Sequence, residues 1–227
     1  MIHEAIKQIK LNRISTTEIC DVLGKTGNLP DILPVNPGQH IVGELQYFFA
    51  HSSSNYNLHR QLEKAKLDKI VFVDAINCEQ KAVFGDLVAK YLVLYKGVRG
   101  IVTNGYMRDL NDLIKEKRPV WCTGHTPIGC ENVDLTVGDK ESAYADKRSK
   151  ELNGALIIAD DSGVAVVPKS KIDDNFLKSL QFIEAQEDIW YYCIDHLKWS
   201  TYETVALKRY LDEPEHIPAS LLEKLKK

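Results

Sequence analysis

The chain has 227 residues, 44% of them hydrophobic and 27% charged, with a formal net charge of −3 and a pI near 6.2. That length suits one large domain, or one domain with an appendage, able to bury a core without disulfide or metal scaffolding. The balance argues against a nucleic-acid binder, whose mark is a basic face and a high pI.

Basic residues gather at Lys147, Arg148 and Lys150 and again at Lys224, Lys226 and Lys227, but Asp146, Glu151 and Glu223 stand beside them, so both stretches read as solvated faces. The five cysteines, Cys20, Cys78, Cys122, Cys130 and Cys193, include no C-x-x-C pair. Zinc-type spacing and a secreted disulfide framework are thereby excluded, and buried reduced thiols are expected, although Cys122 and Cys130 could meet across a turn. The first residues lack a charged-then-apolar signal pattern, and no apolar run reaches membrane-spanning length. The expectation is a cytoplasmic protein with no membrane partner.

Ser15-Thr-Thr-Glu18 reads as a capping box, with a helix over 17–23 behind it. Pro34, Pro37 and Gly38 make a loop, residues 41–51 a strand, and 57–66 a helix. The short apolar run 69–74 is a buried strand. A helix over 85–96 follows, with Gly97 as its C-cap glycine. Residues 100–103 form a second buried strand, Asn104-Gly105 a turn, 106–117 a second helix and 119–123 a third strand. Strand, helix, strand, helix, strand at these lengths is a pair of βαβ units. Two more strands, 155–159 and 163–167, flank the turn Asp160-Asp-Ser-Gly163. From Asp173 the chain turns charged, aromatic and helical through His196 and again over 201–211, until Pro214 and Pro218 break it before a short basic helix. The expected organisation is an α/β domain over 1–172 with a helical C-terminal extension over 173–227.

In α/β sheets ligands bind just past the carboxyl ends of the strands. Beyond the first buried strand lies the helix opening Gly85-Asp86-Leu87-Val88, whose free N–H groups suit a carboxylate. Gly85 allows close approach to the backbone, and Asp86 also reads simply as the N-cap of its own helix. Beyond the second strand comes Arg108-Asp109. An arginine fork can hold a carboxylate through two parallel hydrogen bonds, and the neighbouring aspartate can take a hard divalent cation. As a bare dipeptide, the pair would more often be surface charge at a helix start.

Phe84-Gly-Asp-Leu-Val-Ala89, Gly97-Val-Arg-Gly-Ile-Val-Thr-Asn-Gly-Tyr-Met-Arg-Asp109, Pro119-Val120 and Thr126-Pro-Ile-Gly129 resemble the family that joins 4-hydroxy-4-methyl-2-oxoglutarate aldolases to the regulator of ribonuclease E activity A proteins. Pro37-Gly38, Asn57-Leu-His59, Val71-Phe-Val-Asp74 and Asp160–Pro168 agree with it, so the resemblance runs from about Thr16 to Pro168. It implies a swivelling β/β/α fold that assembles as a homotrimer or hexamer with sites between subunits. It implies a class II type aldolase that cleaves a 4-hydroxy-2-oxo acid to pyruvate and a second oxo compound, with oxaloacetate decarboxylation alongside. The cofactor would be Mg²⁺ or Mn²⁺ on Asp109. Arg108 would bind the substrate carboxylate or carbonyl, the N–H groups of Leu87 and Val88 would receive the carboxylate, and Asp86 would order water at the metal. The partner is then a small 2-oxo acid rather than a nucleic acid. The base for the substrate hydroxyl would be drawn from a neighbouring subunit, with Glu18, Asp21 and Glu44 as candidates.

Two departures from the family pattern stand out. Asn104-Gly105 replaces an aspartate or a small-residue pair, which suggests a different substrate shape, and the helical tail is longer than the family needs. Trp190, Tyr191, Tyr192 and Trp199 of that tail read as packing residues. His125 reads as part of an ordinary turn, His59 as a helix-opening residue near the site, and Asp160-Asp161 as a hairpin turn before a metal pair. The competing functions are a non-catalytic regulator that binds an RNA-degradation enzyme, against which the retained Asp109 argues, and a lyase recruited to another small oxo or sugar acid.

Overall fold

The structure, a computed structural model, describes residues 1–225. Lys226 and Lys227 of the terminal basic cluster lie outside the described residues. The chain divides into two compact units, one made of residues 15–171 and the other of residues 3–14 together with 172 onward. The N-terminal helix α1 (Ile2–Asn12) therefore groups with the C-terminal helices.

In the larger unit the capping box forms as expected. Ser15 Oγ accepts the Glu18 N–H at 3.2 Å, and Glu18 Oε2 accepts the Ser15 N–H at 2.7 Å, opening α2 (Thr16–Val22). Eight strands make the main sheet. Those running parallel are β3 (Ile41–His51), β4 (Ile70–Ile76), β6 (Gly100–Thr103) and β8 (Val120–Cys122). The short β1 (Asn28–Leu29) and β2 (Leu33–Pro34) add antiparallel edges, and the hairpin of β10 (Leu156–Asp160) and β11 (Gly163–Val167) joins the sheet beside β3. β4 shows why its sequence is almost continuously apolar: Val71 and Val73 enter one core, while Ile70 and Phe72 enter another on the opposite face. Helix α3 (Tyr56–Leu62) crosses from β3 to β4, and α6 (Asp139–Leu152) packs on β3.

The remaining crossovers each carry an additional strand. Between β4 and β6 run β5 (Ala82–Phe84), α4 (Asp86–Lys90) and a π-helical turn over Tyr91–Tyr95. Between β6 and β8 run β7 (Tyr106–Met107) and α5 (Leu110–Lys115). β9 (Gly124–His125) follows β8 directly. β5, β7 and β9 pair in parallel as a second, three-stranded sheet.

This layout corrects two expectations. The helix expected over 85–96 widens to π geometry after Lys90, closed by Lys96 N–H to Tyr91 O at 3.1 Å, although Gly97 does end it with φ 66°. The helix expected over 106–117 begins only at Leu110. Tyr106 and Met107 are drawn into the small sheet by their parallel neighbours instead, so tertiary pairing overrides the helical pattern.

The smaller unit holds α1, the long α7 (Asp174–Asp195), a π-helical turn over Tyr202–Ala206, α8 (Arg209–Asp212) and α9 (Ala219–Leu225). Asp173 caps α7 by accepting the Phe176 N–H at 2.8 Å. Ile189, Cys193, Tyr210 and Ile217 form its core, with Trp190, Tyr192 and Trp199 packed against them. Tyr191 differs from its neighbours in being exposed. The second expected helix, over 201–211, is interrupted at Lys208, whose φ is 51°.

Candidate active site

The three strands of the small sheet end side by side. Phe84 pairs with Met107, and Met107 with His125, so the residues that follow them leave the sheet at one edge. Those residues are Gly85-Asp86 after β5, Arg108-Asp109 after β7 and Thr126 after β9. The backbone is stitched at this edge by Arg108 N–H to Phe84 O at 3.2 Å and Thr126 N–H to Met107 O at 3.0 Å. A cleft of about 490 Å³ opens there, lined by residues 107–112 and 125–127. The expected gathering at carboxyl strand ends therefore occurs on the small sheet and not on the main one.

Asp109 is the pivot of this edge. It precedes α5 in the left-handed conformation, φ 60° and ψ 37°, which aspartate tolerates better than most residues. That bend returns its carboxylate to the start of α4, where Oδ2 accepts the Asp86 N–H at 3.2 Å and lies 3.7 Å from Arg108 Nε. Gly85 is required by this approach. A Cβ there would stand 2.0 Å from Asp109 Oδ2 and 2.9 Å from Arg108 Cγ. Gly129 has the same relation to Arg108, since a Cβ on it would lie 2.6 Å from Nη1. Two glycines thus seat the Arg108-Asp109 pair, and both side chains of the pair remain about half exposed, at 51% and 42%.

Asp86 is not the N-cap of α4. Gly85 holds that position and Asp86 is the first helical residue. Its carboxylate Oδ1 lies 3.3 Å from Nε of Arg118, a side chain only 7% exposed. Burying a guanidinium requires a partner, and Asp86 supplies it. Because Asp109 takes the first N–H of α4, the next two, on Leu87 and Val88, have no partner among the described residues, although residues 85–88 are themselves absent from the lining of the cleft. Val88 is buried and Leu87 is 80% exposed.

Three residues of this region escaped the sequence reading or were discounted by it. Arg118 gave no signal beyond a charge placed just before an apolar strand. His125, read as a turn residue, is the last residue of β9 and lines the cleft, with Nε2 3.5 Å from Cys122 Sγ. Asp112 lines it from α5. Other candidates lie elsewhere. Asp160 fixes α2 by accepting both the Thr16 N–H and the Thr16 hydroxyl at 2.7 Å, and Asp161 accepts the Gly38 N–H. They form the expected hairpin turn, and among the described residues no group of three His, Cys, Asp or Glu side chains could hold a metal ion. His59 sits on α3 and is absent from the cleft lining. Asn104 is absent from it too. Its Nδ2 donates to Asp74 Oδ1 at 2.7 Å and its Oδ1 accepts the Ala75 N–H at 2.7 Å. The departure at Asn104 is therefore a brace between two strands and not part of the cleft wall.

The Aldolase/RraA family, described as RraA-like, matches residues 16–166. The chain belongs to the RraA-like family. It is 26% identical over 221 residues to a putative 4-hydroxy-4-methyl-2-oxoglutarate aldolase of Halalkalibacterium halodurans, covering 89% of this chain and 92% of that one. It is 25% identical over 192 residues to protein DlpA of Legionella pneumophila, covering 80% of this chain and 30% of the length of that protein. Among solved structures, an uncharacterized protein from Pseudomonas syringae is similar at TM-score 0.68 and 21% identity, covering 89% of this chain and 92% of that one. A Streptomyces coelicolor member of the RNase ES inhibitor RraA protein family is similar at TM-score 0.62 and 24% identity, covering 81% and 93%. The mixed α/β architecture is that of the RraA fold, and the chain carries C-terminal helices in addition. Among the described residues no helix is long and apolar enough to cross a membrane.

The Asp109 carboxylate is compatible with the divalent cation that RraA-like aldolases imply. One oxygen is fixed by the Asp86 N–H, and the other has no protein partner among the described residues. A single carboxylate beside an open cleft suits a hydrated hard cation such as Mg²⁺ or Mn²⁺, and does not suit a four-ligand zinc cage.

Proposed function

We propose that this RraA-like protein is a divalent-metal-dependent lyase that cleaves a 4-hydroxy-2-oxo acid to pyruvate and a second oxo compound, and decarboxylates oxaloacetate as a side activity. The observation that carries the reading is the seating of Arg108 and Asp109 by Gly85 and Gly129 at the edge of the 490 Å³ cleft. The kinship with a putative aldolase supports it.

In this reading the open N–H groups of Leu87 and Val88 receive the substrate carboxylate at the start of α4. Arg108, held over Gly129, binds the carboxylate or the 2-oxo oxygen and presents a fixed positive charge where the enolate of pyruvate develops. Asp109 would hold the cation, which when bound would supply further positive charge beside the 2-oxo acid. Asp86, tied to Arg118, fixes the helix start and orders water beside it.

Proton removal from the substrate hydroxyl needs a base. Glu18 is committed to its own capping box, Glu44 to Lys69 at 2.7 Å and Asp21 to Lys25. Within the chain, the groups that line the cleft are His125 and Asp112. In this reading the chain assembles as a trimer or hexamer, and a neighbouring subunit completes the site.

A coupled pyruvate-release assay with 4-hydroxy-2-oxo diacids and with oxaloacetate tests the reading. Release is expected with Mg²⁺ or Mn²⁺, with loss on chelation and in Asp109→Ala. Absence of pyruvate from every such substrate would overturn it.

A further inference from the structure

The chain carries a pair of thiols that the lyase reading does not use. The turn after β4 bends through Asn77 and Glu79, with φ 53° and 51°, and closes with Lys81 N–H to Cys78 O at 3.1 Å. The segment after β9 runs alongside β5: Ala82 N–H donates to Ile128 O and Cys130 N–H donates to Ala82 O, each at 2.8 Å. Cys130 is thereby held next to Lys81, with its sulfur 4.0 Å from Lys81 O, and it packs against the core cluster that contains Cys78, whose own sulfur lies 3.5 Å from Ile76 O. The two thiols are near enough to act on each other's charge. Cys78 is 1% exposed, whereas Cys130 is only partly buried. No contact between Cys122 and Cys130, which could have met across a turn, occurs among the described residues; Cys122 Sγ lies 3.5 Å from His125 Nε2.

The two sulfurs differ in character as well as in access. The neighbouring Cys78 thiol, and then the Lys81 ammonium, hold the Cys130 thiol below its ordinary value. The same contact and burial push Cys78 up. Burial raises Cys122 to about 11 and also raises Cys20 and Cys193. Reactivity toward oxidants follows thiolate character and access, which single out Cys130.

We propose that Cys130 and Cys78 are a peroxide-responsive pair, Cys130 the attacking and Cys78 the resolving thiol. The Cys130 sulfur attacks one oxygen of a hydroperoxide. An S–O bond forms, the O–O bond breaks and an alcohol, or water from hydrogen peroxide, leaves after taking up a proton. Cys130 is then a sulfenic acid, oxidised by two electrons as the peroxide is reduced by two. The Cys78 sulfur attacks Cys130, the S–S bond forms, the S–O bond breaks and the departing hydroxide leaves as water with the proton from Cys78. In sum, two thiols and one hydroperoxide give a disulfide, an alcohol and water. Gly129, the seat of Arg108, directly precedes Cys130, so the bond would close one residue from that seat.

The test treats the full native chain with hydrogen peroxide, quenches it, counts thiols under denaturing conditions and maps the peptides. The expected result is loss of two of the five thiols, a single peptide pair joining Cys78 to Cys130 within one chain, and return of both with dithiothreitol. In Cys78→Ser a dimedone adduct should collect on Cys130, and in Cys130→Ser none should form on Cys78. A count that stays at five, a first adduct on any other cysteine, a Cys130 adduct without the crosslink, or a bond joining another pair or two chains would overturn the proposal. Thiol counting needs no substrate, so the result stands whether or not pyruvate is released.

Discussion

Gly85→Ala tests the seating of the candidate site by steric means alone. Gly85 has φ −141° and ψ −159°, extended backbone that alanine adopts without strain, so any effect must come from the added methyl group. That methyl would stand 2.0 Å from Asp109 Oδ2, 2.8 Å from its Cγ and 2.9 Å from Arg108 Cγ. All three are closer than a real Cβ contact allows, so both side chains must move by roughly 1 Å. Asp109 then loses its bond to the Asp86 N–H. A displacement of that size at reacting groups lowers kcat/KM by about 10²-fold. Asp109 is half exposed and can swing into the cleft, so the loss of global stability should stay near the low end of overpacking, about 1 kcal/mol. The assay pairs pyruvate release with thermal unfolding of the same sample and with Mn²⁺ binding followed by paramagnetic resonance. A variant with full activity and unchanged Mn²⁺ affinity would refute the reasoning, and one that merely unfolds would show Gly85 to be a packing residue.

Further expectations concern residues that brace the site. Arg118→Met removes the buried partner of Asp86 and should cost about 3 kcal/mol in chemical denaturation, with the release of pyruvate falling as the start of α4 loosens. Asn104→Ala leaves Asp74 and the Ala75 N–H each short of a partner and should cost about 2 kcal/mol, while the substrate preference of the folded fraction stays unchanged. A changed preference would restore Asn104 to the substrate pocket. Hydrogen bonds from Asn77 and Ser52 hold the Glu141 carboxyl below its ordinary value of 4.5. A carboxylate depressed in the folded state adds stability that is full above the unfolded value and is lost as pH falls through the folded one. Between about pH 5 and that lower value, the wild-type Tm should therefore fall more steeply than that of Glu141→Gln.

The buried strands were legible because each is apolar on both faces, as Ile70, Val71, Phe72 and Val73 show by entering two cores. The capping box at Ser15 and the glycine at position 97 were legible because each meets a local backbone need that only a few residue types satisfy. The small sheet was not. Its strands are two or three residues long, and Tyr106-Met107 fits a helix equally well until Phe84 and His125 arrive beside it from distant parts of the chain. Arg148 shows the same limit. It reads as one charge of a solvated basic run, yet its Nε lies 3.3 Å from Asp74, a carboxylate that is 1% exposed. A partner 74 positions away leaves no local trace.

That hidden sheet explains why Arg108-Asp109 and Gly85-Asp86 could be matched from sequence while the geometry joining them could not. The crossovers after β4 and β6 each spend their first residues on a strand of the small sheet and only then turn into a helix. Each turn from strand to helix therefore falls at the same edge, and parallel pairing sets the offset between turns to within a residue. Asp109 needs its left-handed bend because a chain leaving β7 in extended form would carry the carboxylate away from α4. Gly85 needs to be bare because that bend brings the carboxylate back. The spacing between the motifs is thus set by the length of one helix and one main-sheet strand, α4 with its π-helical turn and β6. An insertion in the loop between β6 and β7 would shift β7 against β5 and separate Asp109 from the Asp86 N–H without touching either residue.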